Sequence, residues 1–304
     1  MKERILITTP IENTWPNNNE PVLFLGEWCK LHPKKHIWID RDSQVAPYHW
    51  DDRSKLYKDY LTLIELYEKI LIELTEKLNS IHGVDYSIRY WRIIVGPWLM
   101  AFIPVVFDRW SSLEKATSSY NISKTFVVDY GELESIPQDQ LHFDELAKTD
   151  QWNHFIFSSI LKKTKLVKII NVEKDISDRI PENPTDLVDD FSIRRLILKL
   201  ASGLTKIFSL NNSVFIIDSY LRKIDLLKLQ LKIFQFPALY LSAQHKNFKP
   251  EMRARDWKLT NSGVKSSFEN ILRGMIPLQI PTIYLEGYKE LDENSDSLSW
   301  PKNP

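Results

Sequence analysis

His49-Trp50-Asp51-Asp52 places an imidazole, an indole and two carboxylates in four consecutive residues, the densest polar cluster in the chain. On a loop facing a cleft, His49 or Asp51 can take a proton from a substrate hydroxyl while the Trp50 ring stacks on a sugar face. The plainer reading is a helix cap, in which Asp51 or Asp52 accepts the first free N–H groups of a helix starting near Arg53. One aspartate can cap while its neighbour points elsewhere. Glu27-Trp28-Cys29 directly follows the apolar run Val22-Leu-Phe-Leu25, and Thr8-Thr9 close the run Ile5-Leu-Ile-Thr-Thr9. If both runs are strands, their polar ends share one rim of a sheet, and open α/β sheets bind ligands at that rim. Glu27 is then a second candidate carboxylate, with Thr8, Thr9 and Trp28 as candidate substrate contacts. Alternatively, Glu27 starts a helix and the threonines cap a turn.

Arg89-Tyr-Trp-Arg92 precedes an apolar stretch and Asp108-Arg109-Trp110 follows it. Forked guanidinium groups suit phosphate or carboxylate, which makes Arg89 and Arg92 candidate anchors for an anionic group. Equally, Arg92 or Arg109 can neutralise Asp51, Asp52 or Asp108, because an unpaired buried charge is costly. Asp218 and Arg222 form either a ligand pair or an ordinary salt bridge. His32-Pro-Lys-Lys-His36 lacks the helical H-E-x-x-H pattern, so no metal site is expected. Cys29 as a nucleophile would need a histidine partner and a lowered pKa.

Positioning these groups requires a sheet with long helices. The two early apolar runs, and Thr125-Phe-Val-Val-Asp129 and Val214-Phe-Ile-Ile-Asp218, read as strands; His36-Ile-Trp-Ile39 is a weaker candidate, and residues 40–52 read as a loop. From 53 to 80 the period is helical, with Leu56, Tyr60, Leu63, Tyr67, Ile70, Leu74 and Leu78 on one face and Gly83 as the stop. Glu65–Lys69 and Glu73–Lys77 are spaced for intrahelical pairs. Residues 87–112 read as a buried helix or helix pair, with further helices over 150–162, 191–208, 219–234 and 266–275. Alternation of strand and helix predicts a helix-rich α/β fold with a Rossmann-like parallel sheet. The acidic stretch 171–190 is the clearest internal break, and residues 291–304, rich in Ser, Asp, Asn and Pro, read as a linker after a domain spanning 1–290.

Composition narrows the function classes. Forty basic and forty acidic residues cancel, so the broad basic face of a nucleic-acid binder is not expected. The eight glycines include no G-x-G pair, which argues against phosphate loops of the P-loop or dinucleotide kind. One cysteine needs no oxidising compartment, and no secretory signal or transmembrane segment is evident, so a cytoplasmic location is expected.

Phe24-Leu-Gly-Glu-Trp-Cys29, Pro47-Tyr-His-Trp-Asp-Asp-Arg53, Ile81-His-Gly-Val84, Arg89-Tyr-Trp-Arg92 and Gly96-Pro-Trp98 occur in an order that resembles a family of bacterial transferases. That family is named from genes in O-antigen and surface-polysaccharide clusters. Phe107-Asp-Arg-Trp110, Ile280-Pro-Thr282 and Glu286-Gly-Tyr288 continue the likeness to the end of the chain. The resemblance implies the N-terminal, acceptor-side half of a GT-B glycosyltransferase, in which two Rossmann-like halves face across a cleft. It further implies a nucleotide sugar as donor substrate, no bound cofactor or metal, a sugar or glycan acceptor, and a C-terminal Rossmann-like half supplied in cis or trans. Peripheral association with the inner face of the membrane fits that setting. Two other expectations compete: a non-catalytic helix-rich interaction module or truncated fragment, which would expose an apolar strip along 276–288, and a hydrolase using Cys29 or His49, which lacks a G-x-S-x-G elbow.

Overall fold

The computed structural model describes residues 2–17, 19–173, 221–232, 247–259 and 266–295. The chain divides into two compact units, Met1–Asn183 with Asn247–Pro304, and Pro184–Lys246. In the first unit, β1 (Arg4–Ile7), β2 (Val22–Phe24), β3 (Ser43–Val45), β4 (Ile122–Val128) and β5 (Lys168–Val172) form an all-parallel sheet of order β3-β2-β1-β4-β5. Strands β1 and β2 are buried along their whole length, which is why they read as continuous apolar runs. Their side chains alternate between two cores. Leu6 and Leu23 enter the larger, whereas Ile5, Ile7, Val22 and Phe24 join Trp15 and Cys29 in the smaller.

Two expectations are corrected here. The run at 36–39 is not a strand: α1 (Lys35–Trp38) is a four-residue helix following a turn that begins at His32-Pro33. Four apolar residues without a period cannot distinguish strand from helix, and Pro33 favours the helical turn. The third strand instead lies in the segment read as a loop. Ser43-Gln-Val45 is an edge strand with a single apolar residue, held by main-chain bonds to β2 and its flanks, such as Val22 N to Asp42 O at 2.9 Å. The other edge strand, β5, has three apolar residues in Lys168-Ile-Ile-Asn-Val172 but no alternation and no fully buried position, and its last two residues extend into the stretch 171–190 read as a break.

Helix α2 (Arg53–His82) starts on Asp52, whose Oδ1 accepts from the Ser54 and Lys55 amides at 2.9 and 3.1 Å, and stops at Gly83 with φ 72°. Leu63, Tyr67, Ile70, Leu74 and Leu78 are buried as the period predicts, but Tyr60 is 56% exposed because the first turns overhang the core. Lys69 and Glu73 also reach partners outside α2. Lys69 bonds Glu269 at 2.8 Å, and Glu73 accepts from Arg273. The apolar stretch is a pair, α3 (Ile88–Ile94) and α4 (Gly96–Ser119), bent by 67° at Val95-Gly96-Pro97. Trp91, Trp98 and Phe102 on these helices are fully buried. Among the described residues no single helix is long and apolar enough to cross a membrane, although the bent pair meets that test by length and composition.

Helices α5 (Gln140–Leu146) and α6 (Asp150–Thr164) lie between β4 and β5 in sequence. In the second unit, α7 (Lys223–Lys232) falls within the helix expected over 219–234, and Arg222 pairs with Asp225 at 2.8 Å. Helix α8 (Ser267–Gln279) and α9 (Tyr288–Ser295) return to the first unit. Ile276, Ile280, Leu285 and Tyr288 pack into the larger core, so the segment 276–288 presents no apolar strip. Buried Arg255 clamps Glu286 through two bonds of 2.7 Å and donates to the Pro277 and Ile280 carbonyls. Residues 291–295, read as the start of a linker, are helical. The break from 174 onward, the helix 191–208, the strand 214–218 with Asp218, and residues 296–304 lie outside the described residues.

Candidate active site

The carboxyl ends of β1, β2 and β3 open onto a groove of about 780 Å³. Thr9 enters it from β1, Gly26, Glu27 and Trp28 from β2, and residues 45–48 from β3. Across from the strand ends stand Asp108 and Arg109 of α4, Lys148 just before α6, and Asp150, Asn153 and Phe157 along its first half. Asp51 completes the lining. The reversal of strand order falls between β1 and β4, where open parallel sheets commonly bind ligands. Here His154 of α6 fills that crevice. Its Nε2 accepts the Val128 amide at 3.1 Å, so its proton sits on Nδ1, which donates to the Thr9 hydroxyl at 3.2 Å and lies 3.5 Å from that of Thr8. Burial, helped by the charge of Lys162, lowers the His154 pKa to about 4, keeping the ring neutral near pH 7.

The aspartate pair separates as one of its two readings requires: Asp52 caps α2, while Asp51 is exposed and its carboxylate lines the groove. Glu27 is exposed at the rim, 3.2 Å from Lys30. Trp28 donates its indole N–H to the Thr8 carbonyl at 3.0 Å and lies over Gly26, where a Cβ would come within 2.1 Å of the ring. Only glycine allows this placement, which leaves the indole 38% exposed as a flat wall. Thr8 and Thr9 are both buried, at 3% and 1% exposure, and only Thr9 touches the lining.

His49 is sealed rather than facing the groove. Its Nε2 lies 3.0 Å from Asp108 Oδ1, and its Nδ1 is buried without a partner among the described residues. The same Asp108 oxygen accepts the Tyr48 hydroxyl at 2.7 Å, and Oδ2 accepts Arg109 Nη1 at 2.5 Å. Burial alone would raise the Asp108 pKa, but the His49 bond, the Arg109 charge and the Tyr48 bond outweigh it and hold the carboxyl below its ordinary value. Tyr48 moves the other way, raised by burial and by Asp108. Arg109 also grips Asn153 Oδ1 through Nε at 2.9 Å and Nη2 at 2.8 Å, tying α4 to α6 across the groove floor.

Three sequence candidates stand elsewhere. Trp50 donates to Asp59 at 2.9 Å and stacks on Phe107 with centroids 5.9 Å apart, so its ring belongs to the packing against the core. Arg92 forms a two-bond pair with Glu68 at 2.5 and 2.7 Å, and Arg89 is exposed; neither lines the groove. The groove cations are Arg109 and Lys148. The pairing of Arg109 with Asp108 is the one the sequence offered as an alternative, but that Asp108, Arg109 and Asp150 line a groove is not legible in the sequence, since spacing carries no signal that α4 and α6 meet the strand ends.

Cys29 is fully buried, donates to the Ile7 carbonyl at 3.5 Å, and has its thiol pKa pushed up to about 12 by burial. That environment removes the thiolate a nucleophile requires. Among the described residues no three His, Cys, Asp or Glu side chains are grouped as metal ligands.

No curated protein and no solved structure matches the chain. A sequence model described as LIC12162 family transferase does match, over residues 4–304. That span carries both the groove and the sheet that builds it, and the chain belongs to the LIC12162 family of transferases.

Proposed function

We propose that the chain takes part in transfer of a glycosyl unit from a nucleotide sugar to a hydroxyl of a sugar or glycan acceptor, in assembly of a cell-surface polysaccharide such as O-antigen. The groove receives the acceptor. One observation carries the reading: carboxylates, hydroxyls and an exposed indole converge at the carboxyl ends of parallel strands, the chemistry that recognises a ring with many hydroxyls. Asp51 and Glu27 accept hydrogen bonds from acceptor hydroxyls and Trp28 supplies the stacking face, while Thr9, buried and bonded to His154, shapes the lining. His49 contributes through Asp108. Arg89 and Arg92 have no role in this reading, because neither faces the groove. The donor's nucleoside diphosphate is held by a second Rossmann-like half, in the GT-B manner, and the assembly works at the cytoplasmic face of the membrane as a peripheral protein.

Saturation-transfer NMR with a panel of mono- and disaccharides tests the acceptor role. Binding should weaken about tenfold in Trp28→Ala and in Asp51→Ala, equivalent to ~1.4 kcal/mol each. Absence of binding by every sugar, or equal binding by wild type and both variants, would remove the groove from the reaction.

A further inference from the structure

The carboxylates around the groove differ in how far they are already committed. Asp108 accepts from three side chains, Asp52 caps α2, Asp59 holds Trp50 and Lys55, and Glu27 sits 3.2 Å from Lys30. Asp51 is uncommitted but exposed, so water competes fully for it. Asp150 is the exception: it is half-buried, lines the groove, and has no hydrogen bond or ion pair among the described residues. Its position at the start of α6 is not explained by capping, because the Thr149 hydroxyl accepts the Trp152 amide instead, at 3.3 Å. The first turn of α6 and the charge of Lys34 favour a carboxylate here, yet no hydrogen bond among the described residues fixes it, which leaves a half-buried acid in a cleft open to a substrate hydroxyl.

We propose that Asp150 is the proton acceptor of the transfer, a role that rests on the glycosyl-transfer reading above. In the step, the acceptor hydroxyl oxygen forms a bond to the anomeric carbon of the donor. The bond from that carbon to the diphosphate oxygen breaks, and the nucleoside diphosphate leaves with the electron pair. The hydroxyl proton passes to the Asp150 carboxylate and from there to solvent. The surroundings suit the role. Burial raises the Asp150 pKa, against the opposing charge of Lys34, which brings the carboxylate closer to the basicity a general base needs. Lys148 and Arg109 also face the groove, but they are engaged by Glu145 at 2.8 Å and by Asp108 and Asn153. The remaining carboxylates of the lining are Glu27, Asp51 and Asp108.

Two measurements on the full chain test this, with Asp150→Asn checked for folding by circular dichroism. The first is carbon-detected NMR titration of the side-chain carboxyls, with Asp150→Asn identifying the signal and methyl glycosides of common hexoses as probes. The Asp150 midpoint should lie above the ordinary aspartate value of about 3.9 and move when a glycoside binds. A midpoint at or below that value, or one indifferent to every glycoside, overturns the assignment without any need for turnover. The second follows release of nucleoside diphosphate from UDP-, GDP- and dTDP-linked sugars with the same glycosides as acceptors, with the donor-binding half present. Asp150→Asn should lower kcat by about 10²- to 10⁴-fold and remove the acidic limb of the pH profile, while Glu27→Gln raises KM. A full rate and an unchanged profile in Asp150→Asn would overturn it. Wild type that transfers nothing speaks against glycosyl transfer itself, and the titration then decides Asp150 alone.

Discussion

Acidification should weaken this fold in a way that one residue controls. His154 is fully buried between the ends of β1 and β4, accepting the Val128 amide at Nε2 and donating from Nδ1 to Thr9. A second proton would have to displace the Val128 bond and place a charge in the interior, which is why the folded-state pKa falls to about 4. Unfolded, the imidazole titrates near 6.5. Between those values the unfolded chain binds up to one proton more than the native one. Stability therefore falls with pH by up to about 1.36 kcal/mol per unit, for a total of about 3 kcal/mol across the window, and the loss levels off below the folded value. His154→Leu removes the titration but leaves the Val128 N–H without its acceptor, costing ~1–3 kcal/mol at neutral pH. Urea unfolding followed by circular dichroism, at pH 7.5, 6, 5 and 4.5, reads both effects. Wild type should exceed the variant at pH 7.5, and the gap should shrink towards zero or invert by pH 4.5. All other titrating groups are common to both proteins and cancel. A gap constant within ~0.5 kcal/mol over the range, smaller than half a unit of pKa shift would produce, would refute the placement of His154 and with it the closed crevice beside the groove.

Gly26→Ala should push the Trp28 ring off its seat, because the new methyl would meet it at about 2 Å; sugar binding should fall as far as in Trp28→Ala, read by NMR, while overpacking costs ~1–3 kcal/mol. Cys29, buried and with its thiol near 12, should resist a disulfide reagent at pH 8 in the native state and react fully in urea. Rapid native labelling would show the small core to be open. Glu286→Ala leaves Arg255 as a buried charge facing only main-chain carbonyls and should cost ~3–5 kcal/mol in urea unfolding. Glu286→Gln, which keeps an acceptor, should cost less; equal losses would mean that volume, not charge, is what the pair supplies.

The amino-acid sequence alone determined those features whose cause is local. Continuous apolar runs announced β1 and β2 because a parallel strand covered on both faces must be apolar throughout. The helical period, a cap at Asp51 or Asp52 and Gly83 placed α2 to within two residues, whereas the apolar stretch was legible only as a helix or helix pair, which the structure resolves as a pair. The polar residues just after two strands, Thr9 and Glu27-Trp28, could be read as lying on one rim, since parallel pairing puts carboxyl ends together. Only the tertiary structure decided the rest. Edge strands β3 and β5 bury little and are held by main-chain bonds, so their side chains carry no pattern. Lys69 and Glu73 have partners on a helix two hundred residues away, which their spacing along α2 does not announce. Which acids face the groove was decided the same way: His49 went inward to Asp108 while Asp150 turned outward. Those choices follow from where α4 and α6 cross the sheet, and long-range packing of that kind leaves no mark on residue spacing.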